Sequence, residues 1–366
     1  VKYGLVFIMK IGIDSTALVK NRTGVGNYIY SILNELVKNT EHQFILYSNK
    51  EIFYPDLPNV RKVIHSSTYK GPVWQNTSLI YSLFKDRPDV FWGGNGYLPM
   101  LVPKKTKLIL TVHDLVYKYA GRTMPTISRL SRRFFQPLSV NKADAIVAVS
   151  HATADEVYKE YGVRPDCVVH PQISPLFSLQ EKSNLAKIKE KYQLNEYILT
   201  IGTLEPRKNM VALIQAYLNV VSLGYKLPVL AIAGGKGWMQ GELDKLVEKG
   251  VAKGIIRKLG YVSDPDLAVL YSGAQLFVLA SIYEGFGMPI LEAQASGCPV
   301  LISRIKSMIE AAGDICCTFE PDIQSIENSL INLSKGNQPL ICRLPYTIEN
   351  KIDIAAKKYE KLMRLS

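Results

Sequence analysis

Two carboxylates, Glu284 and Glu292, stand with seven residues between them in the run LFVLASIYEGFGMPILE, 276–292. The run opens with an apolar segment, Leu276 to Ala280, of the length and composition of a buried strand. Gly285 and Gly287 then form a loop, and Pro289 suits the first turn of a helix that Ile290, Leu291 and Glu292 continue. Such a loop lies at the carboxyl ends of strands in an open parallel sheet, where ligands bind. Its backbone N–H groups and the positive end of the helix favour an anion. Two glutamates would repel a bare phosphate and are better suited to accepting hydrogen bonds from hydroxyls. A ligand carrying both phosphates and many hydroxyls, such as a nucleotide sugar, meets both conditions.

Other residues with chemistry to offer sit at similar turns. Ile198 to Ile201 reads as a strand, followed by Gly202-Thr203-Leu204-Glu205-Pro206-Arg207-Lys208-Asn209 and a helix with Leu213, Ile214 and Tyr217 inward. Two adjacent cations at a strand-to-helix turn suit a diphosphate, through charge-assisted hydrogen bonds and the helix end together. The strand Lys107 to Val112 delivers His113 and Asp114 to its carboxyl end. Near the start, Asn21 to Gly26 is expected to be a glycine loop, carrying Gly24 and Gly26, that leads into a helix. It is not a dinucleotide fingerprint, because Ile29 occupies the place of the third glycine. Gly234-Gly235-Lys236-Gly237 lacks the Lys-Ser/Thr pair of a phosphate-binding Walker loop. Asp264-Pro265-Asp266 has the spacing of a metal-binding carboxylate pair, but it precedes a helix and reads as its cap.

The string EGFGMPILEAQASGCPVLIS, 284–303, resembles the retaining nucleotide-sugar glycosyltransferases of family 4, which have the GT-B fold. TVHDL, 111–115, is similar to that family's His-Asp segment, and the 202–209 loop to its Arg-Lys donor motif. The resemblance covers nearly the whole chain, best over 197–315 and weaker before 110. It implies that Arg207 and Lys208 hold the donor diphosphate, that Glu292 accepts from ribose hydroxyls and that Glu284 accepts from the donor sugar. Backbone N–H groups from Phe286 to Met288 would sit near sugar and phosphate. Gly24, Gly26, Gly202, Gly285 and Gly287 would complete the donor-binding set. His113, with Asp114, would lie on the opposite wall near the anomeric carbon and the acceptor. The resemblance implies no protein nucleophile, no cofactor and no metal. GTLEPRKN with NRTGVGNY looks most like bacterial-type mannosyl- and related transferases that build surface polysaccharides, including lipopolysaccharide. That makes GDP-mannose the first expected donor, a UDP-sugar the second, and a saccharide or lipid-linked saccharide the acceptor. The chain departs from the family where Pro171-Gln172 replaces the usual Asn-Gly, at the expected hinge. A sugar-nucleotide epimerase of the same fold is the alternative reading.

The elements that must position these residues form two runs of alternating strands and helices. The 366 residues are enough for two doubly wound Rossmann-like domains facing each other across a cleft. The expected boundaries are 1–176 and 177–349, with a basic amphipathic helix over 350–366 returning to the first domain. The net charge of +12 calls for an acidic partner, whether phosphate-bearing substrate, lipid headgroup or nucleic acid. Nucleic acid is disfavoured because no recognised basic-aromatic module is present. The stretch 126–140, with Arg129, Arg132, Arg133, Phe134 and Phe135, reads as a helix able to lie on an anionic membrane, or as a domain helix with a solvated basic edge. An odd count of five cysteines with no C-x-x-C, no apolar run near the ~18 residues of a span, and no signal-peptide pattern point to the cytoplasm, at the inner membrane face where the acceptor is lipid-linked.

Overall fold

The computed structural model describes residues 8–66, 71–202, 205–235, 241–313, 316–336 and 351–364. Thr203 and Leu204 of the cationic loop, Lys236 and Gly237 of the third glycine loop, and Cys342 lie outside the described residues. The chain separates into two compact units. One comprises Val1–Lys118, Pro125–Gln172 and Ile348–Ser366, the other Tyr119–Met124 and Ile173–Thr347. The crossover thus falls between 172 and 173 rather than at 176. The short piece Tyr119–Met124 joins the second unit, where Tyr119 stacks nearly parallel on Tyr283 with ring centroids 6.1 Å apart.

The first unit is built on seven strands: β1 (Lys10–Asp14), β2 (Gln43–Ser48), β3 (Val60–Ile64), β4 (Val90–Gly93), β5 (Lys107–Val112), β6 (Ala145–Ala148) and β7 (Cys167–Val168). They pair in parallel in the order β3-β2-β1-β4-β5-β6-β7. A sheet covered on both faces needs strands that are apolar throughout, and LILTV of β5 is buried along its length. Helix α1 (Gly24–Asn39) buries Ile29, Ile32, Leu33, Leu36 and Val37, the expected helical stripe. Helix α2 (Thr126–Lys142) turns Gln136, Ser139 and Val140 inward.

The second unit holds β8 (Tyr197–Ile201), β9 (Val229–Ala233), β10 (Ile256–Gly260), β11 (Leu276–Leu279), β12 (Val300–Ser303) and β13 (Cys317–Phe319). Their order is β10-β9-β8-β11-β12-β13, again parallel. Helix α3 (Met210–Ser222) lays Leu213, Ile214, Tyr217 and Val220 on this sheet within one apolar core that includes Leu230, Val278 and Leu301. Helix α4 (Asp264–Gly273) precedes β11, α5 (Met288–Ala295) follows it, and α6 (Lys306–Ala312) follows β12. At the C-terminus α7 (Lys351–Arg364) packs in the first unit against α1 and β5. Its Tyr359 is fully buried, with its hydroxyl 2.6 Å from Thr111 Oγ1 and 3.0 Å from the Tyr28 hydroxyl. Among the described residues no helix is long and apolar enough to cross a membrane.

Each sheet reverses its winding direction once, between β1 and β4 in the first unit and between β8 and β11 in the second. At such a point the two following loops diverge and leave a crevice at the carboxyl edge. The loop after β8 carries Arg207 and Lys208, and the loop after β11 carries Glu284.

Candidate functional site

In the second unit the backbone leaves β8 through Gly202 (φ +140°) and leaves β9 through Gly234 (φ +151°). A Cβ on Gly234 would stand 1.9 Å from the Gly202 carbonyl oxygen, so the two loops can approach this closely only without a side chain there. After the loop, Pro206–Lys208 makes a single tight turn, and Asn209 (φ +55°) leads into α3. The turn is tied to the neighbouring loop by Ile282 N–H donating to the Arg207 carbonyl at 2.9 Å.

This arrangement brings three of the expected residues together. Glu284 Oε1 accepts from Lys208 Nζ at 2.5 Å and from Ser281 Oγ at 2.7 Å. Glu284 Oε2 accepts from Arg207 Nη1 at 2.8 Å, and the Arg207 Nε donates to Glu205 at 3.1 Å. Ser307 Oγ, on α6, donates to the Glu284 carbonyl at 2.5 Å and fixes the loop from the other side. Both charged ends are buried: Glu284 is 10% exposed and Lys208 9%. Burial pushes the Glu284 carboxyl up, but the charges of Lys208 and Arg207 and the hydrogen bonds from Lys208 and Ser281 outweigh it and bring the pKa down to about 2. Glu284 is therefore an anion at every ordinary pH, and its charge is spent on the two cations.

Glu292 lies one turn inside α5 and behaves in the opposite way. Burial raises its pKa, the Asp264 charge raises it further, and a 3.4 Å hydrogen bond from the Tyr271 hydroxyl and the Lys208 charge only partly offset this. It comes to rest at about 7. Two carboxylates of one motif whose environments split their proton affinities can take different roles. Between them Gly285, Phe286, Gly287 and Met288 form the bend into α5, with Phe286 buried and Gly287 (φ +113°) as the last residue before the helix.

In the first unit β5 delivers His113, whose Nε2 lies 2.7 Å from the Gly94 carbonyl after β4. A carbonyl can only accept, so the ring proton sits on Nε2 and Nδ1 is a bare acceptor. Burial lowers the His113 pKa from its ordinary value, more than Asp114 and the Gly94 contact raise it, so the ring is neutral at pH 7. Nδ1 has no hydrogen-bond partner among the described residues, while Tyr28 meets the ring edge-on at 5.2 Å. Asp114 is differently employed. Its Oδ1 accepts from Arg132 Nη1 at 3.0 Å and from Val116 N–H at 3.1 Å, and its carbonyl accepts from Gln136 Nε2 at 3.0 Å. It anchors α2. Gly24 and Gly26 belong to the first turn of α1 rather than to a loop before it. A Cβ on Gly26 would lie 2.4 Å from the Ala17 carbonyl, which gives that glycine a packing reason, whereas Gly24 faces open space.

Sequence reasoning did not single out Ser281, Tyr271 or Tyr28, and it placed Arg132 on a basic helix without its partner Asp114; Tyr271 and Tyr28 owe their places to distant partners, while Ser281 reaches Glu284 three residues on. The helix after Val262 is capped by Ser263, which accepts from Asp266 N–H, and not by Asp264. Asp266 is instead bound by Lys191 at 2.5 Å and by the Tyr192 hydroxyl at 2.8 Å.

Comparison with known proteins bears on the family and the fold. Residues 22–172 match the family model described as Glycosyltransferase Family 4, and residues 181–339 the model described as Glycosyl transferases group 1. The chain is 33% identical over 250 residues to the O-antigen chain mannosyltransferase B of Escherichia coli, covering 66% of this chain and 64% of that protein. It is 34% identical over 242 residues to the serotype-specific mannosyltransferase WbdA of Escherichia coli, covering 62% of this chain but only 28% of that longer protein. In structure it is similar to the sucrose-phosphate synthase of Thermosynechococcus elongatus, with a TM-score of 0.73 over 97% of this chain and 98% of that one at 15% identity.

Proposed function

The chain belongs to the family 4 nucleotide-sugar glycosyltransferases of GT-B fold, and from that premise we propose that it is a retaining hexosyltransferase. Its donor is GDP-mannose, and its acceptor is a saccharide or lipid-linked saccharide of a surface polysaccharide. The choice of mannose rests on the mannosyltransferase relatives, whose length this chain spans only in part. The observation that carries the reading is the buried cluster of Arg207, Lys208 and Glu284 at the switch point of the second sheet.

The cluster is an anion site already filled by an internal anion. When a diphosphate enters, its oxygens take over Arg207 and Lys208, and Glu284 is released to accept from hydroxyls of the attached sugar. As the glycosidic bond breaks, charge grows on the leaving diphosphate. The two cations then stabilise the transition state more than the ground state. Glu292 takes the ribose hydroxyls. His113, neutral and with a bare Nδ1, serves the acceptor side as a hydrogen-bond acceptor. The leaving phosphate itself takes the acceptor proton on the same face of the sugar, so no protein nucleophile is required. A metal has no part in this scheme, in keeping with the engagement of Asp266 by Lys191 and Tyr192.

The test is a thermal-shift series against GDP-, UDP- and ADP-sugars, followed by product analysis with the anomeric configuration read by NMR. Stabilisation by GDP-mannose follows from mass action, and an α-linked mannoside should accumulate in the presence of chelator. Stabilisation by UDP-sugars alone would move the donor assignment. Donor conversion without consumption of acceptor would favour the epimerase. Loss of activity in chelator, restored by manganese, would overturn the metal-free scheme.

A further inference from the structure

The amino edge of the first sheet carries a cavity of its own. Strands that begin there leave backbone N–H groups that need partners. Asp144 and Asp166, each just ahead of its own strand, supply them to a neighbour. Asp144 Oδ2 accepts from Leu108 N–H on β5, and Asp166 Oδ2 from Ile146 N–H on β6, both at 2.7 Å. The other oxygen of each carboxylate, Oδ1, has no hydrogen bond among the described residues. The turn into β5 brings Lys104 and Lys105, both exposed, and Lys107, half-buried, to the same place. None of the three ammonium groups has an ion pair or a hydrogen bond among the described residues. These side chains line a cavity of about 480 Å³. Part of its wall is apolar, from Ala145 and from Leu362 of α7, both buried. The Thr106 hydroxyl, also in the wall, is spent on the Pro88 carbonyl at 2.7 Å. The cavity lies at the start of β5 and His113 just past its end. At about 3.3 Å per residue that strand puts roughly 20 Å between them, so the cavity is no part of the site at His113.

Three cations against two carboxylates leave the lining net positive, and ionised carboxylate oxygens accept hydrogen bonds without donating. A ligand that satisfies both carries an anionic group for the lysines and hydroxyls for the aspartates. A bare phosphate would meet the aspartates as like charges, with no hydroxyl to offset them. The apolar wall suits the C–H face of a sugar ring. Small-ligand pockets run to about 300–1,000 Å³, and 480 Å³ falls within that range. We propose that this cavity is a second ligand site that binds a phosphorylated monosaccharide, with the phosphate on Lys104, Lys105 and Lys107 and the ring hydroxyls on Asp144 and Asp166. The inference goes beyond the transfer reaction and does not rest on it, and its test needs no catalysis.

The full chain, carrying ¹³C at its leucine methyl groups, is titrated with mannose 6-phosphate, with mannose and with inorganic phosphate. The Leu362 methyl signals, assigned from Leu362→Met, report the cavity by NMR. Titrations are repeated in excess GDP, which keeps the probe from the cations of the second unit. Should GDP fail to bind there, Leu362 still reports the cavity alone, so the two readings fail separately. Mannose 6-phosphate should shift Leu362 saturably, inorganic phosphate should do so more weakly, and mannose not at all. Lys104→Gln/Lys105→Gln/Lys107→Gln should weaken binding about tenfold, since each exposed charge contributes modestly. Asp144→Asn/Asp166→Asn keeps an amide oxygen for each strand N–H and should narrow the preference for mannose 6-phosphate over phosphate. Circular dichroism with thermal unfolding verifies that both variants fold. A Leu362 signal unmoved by mannose 6-phosphate, equal affinity for the sugar phosphate and phosphate, or undiminished binding by the lysine variant would overturn the proposal. An unchanged preference in the Asn pair would do the same, since the aspartates would then read no hydroxyl.

Discussion

Replacing Glu284 by Gln perturbs the contact on which the site depends. In the free protein this carboxylate is the shared counter-ion of Lys208 and Arg207. A carboxyl held at about 2 rather than its ordinary 4.5 contributes about 3 kcal/mol to folding at neutral pH. Solvent screening removes little of this, because Glu284 and Lys208 are almost covered and only Arg207 is 27% exposed. Removing one member of a buried pair is costly for the same reason, as it leaves uncompensated cations behind. The sign follows from the depressed folded pKa: the contribution is present above 4.5 and is lost as pH falls toward 2. Glu284→Gln should therefore lower the unfolding free energy by about 3 kcal/mol at pH 7, and the gap to wild type should close in acid.

The donor changes this balance. In wild type a diphosphate must displace Glu284 from both cations, whereas in the variant it meets them without a rival. GDP should raise the melting temperature of Glu284→Gln more than that of wild type, and calorimetric affinity for GDP should be equal or tighter. Turnover of GDP-mannose should nevertheless fall, because the variant has lost the charged acceptor for the sugar hydroxyls. Unfolding across a pH series with and without GDP, together with titration calorimetry, measures each quantity. If GDP affinity falls in step with stability, Glu284 does not compete with the diphosphate, and Arg207 and Lys208 do not form its site.

Lys208→Ala should reduce kcat at saturating donor by roughly 10- to 150-fold, the equivalent of ~1.5–3 kcal/mol for one charged hydrogen bond to the leaving group; near-full activity in the folded fraction would remove Lys208 from the site. Glu292 keeps its proton in the folded state up to about 7, so wild-type stability on its account is full below 4.5 and declines as pH rises through 7. Glu292→Gln should accordingly gain in melting temperature relative to wild type as pH rises through that window, and should raise the donor KM more than it lowers kcat; a difference independent of pH would contradict the buried acid. Tyr359→Phe leaves Thr111 and Tyr28 short of a shared partner in the core and should cost about 1–3 kcal/mol in denaturant unfolding, whereas an unchanged midpoint would show that Tyr28 is satisfied by Val169 alone.

The alternation of strands and helices was legible because most of the strands are buried on both faces and announce themselves as apolar runs. β3, with Arg61 and Lys62 on a half-exposed edge, carried no such signal, nor did the two residues of β7 or the three of β13. The strand order was not legible from local sequence, and it is the order that makes the site. Only because β8 and β11 are neighbours do the loops holding Arg207, Lys208 and Glu284 meet, across 76 and 77 residues of chain. The same reasoning explains the partner of Asp114 at the end of β5, since Arg132 comes to it from α2, 18 residues further along the chain. It explains the two glutamates as well. Glu284 stands ahead of α5 and reaches back to the turn after β8, while Glu292, one turn inside the helix, lies under Tyr271 with Asp264 nearby. The motif reads as two equivalent hydroxyl acceptors. In the folded protein it is one permanent anion and one carboxylic acid that ionises near neutrality, and only the permanent anion can stand in for a phosphate at the two cations.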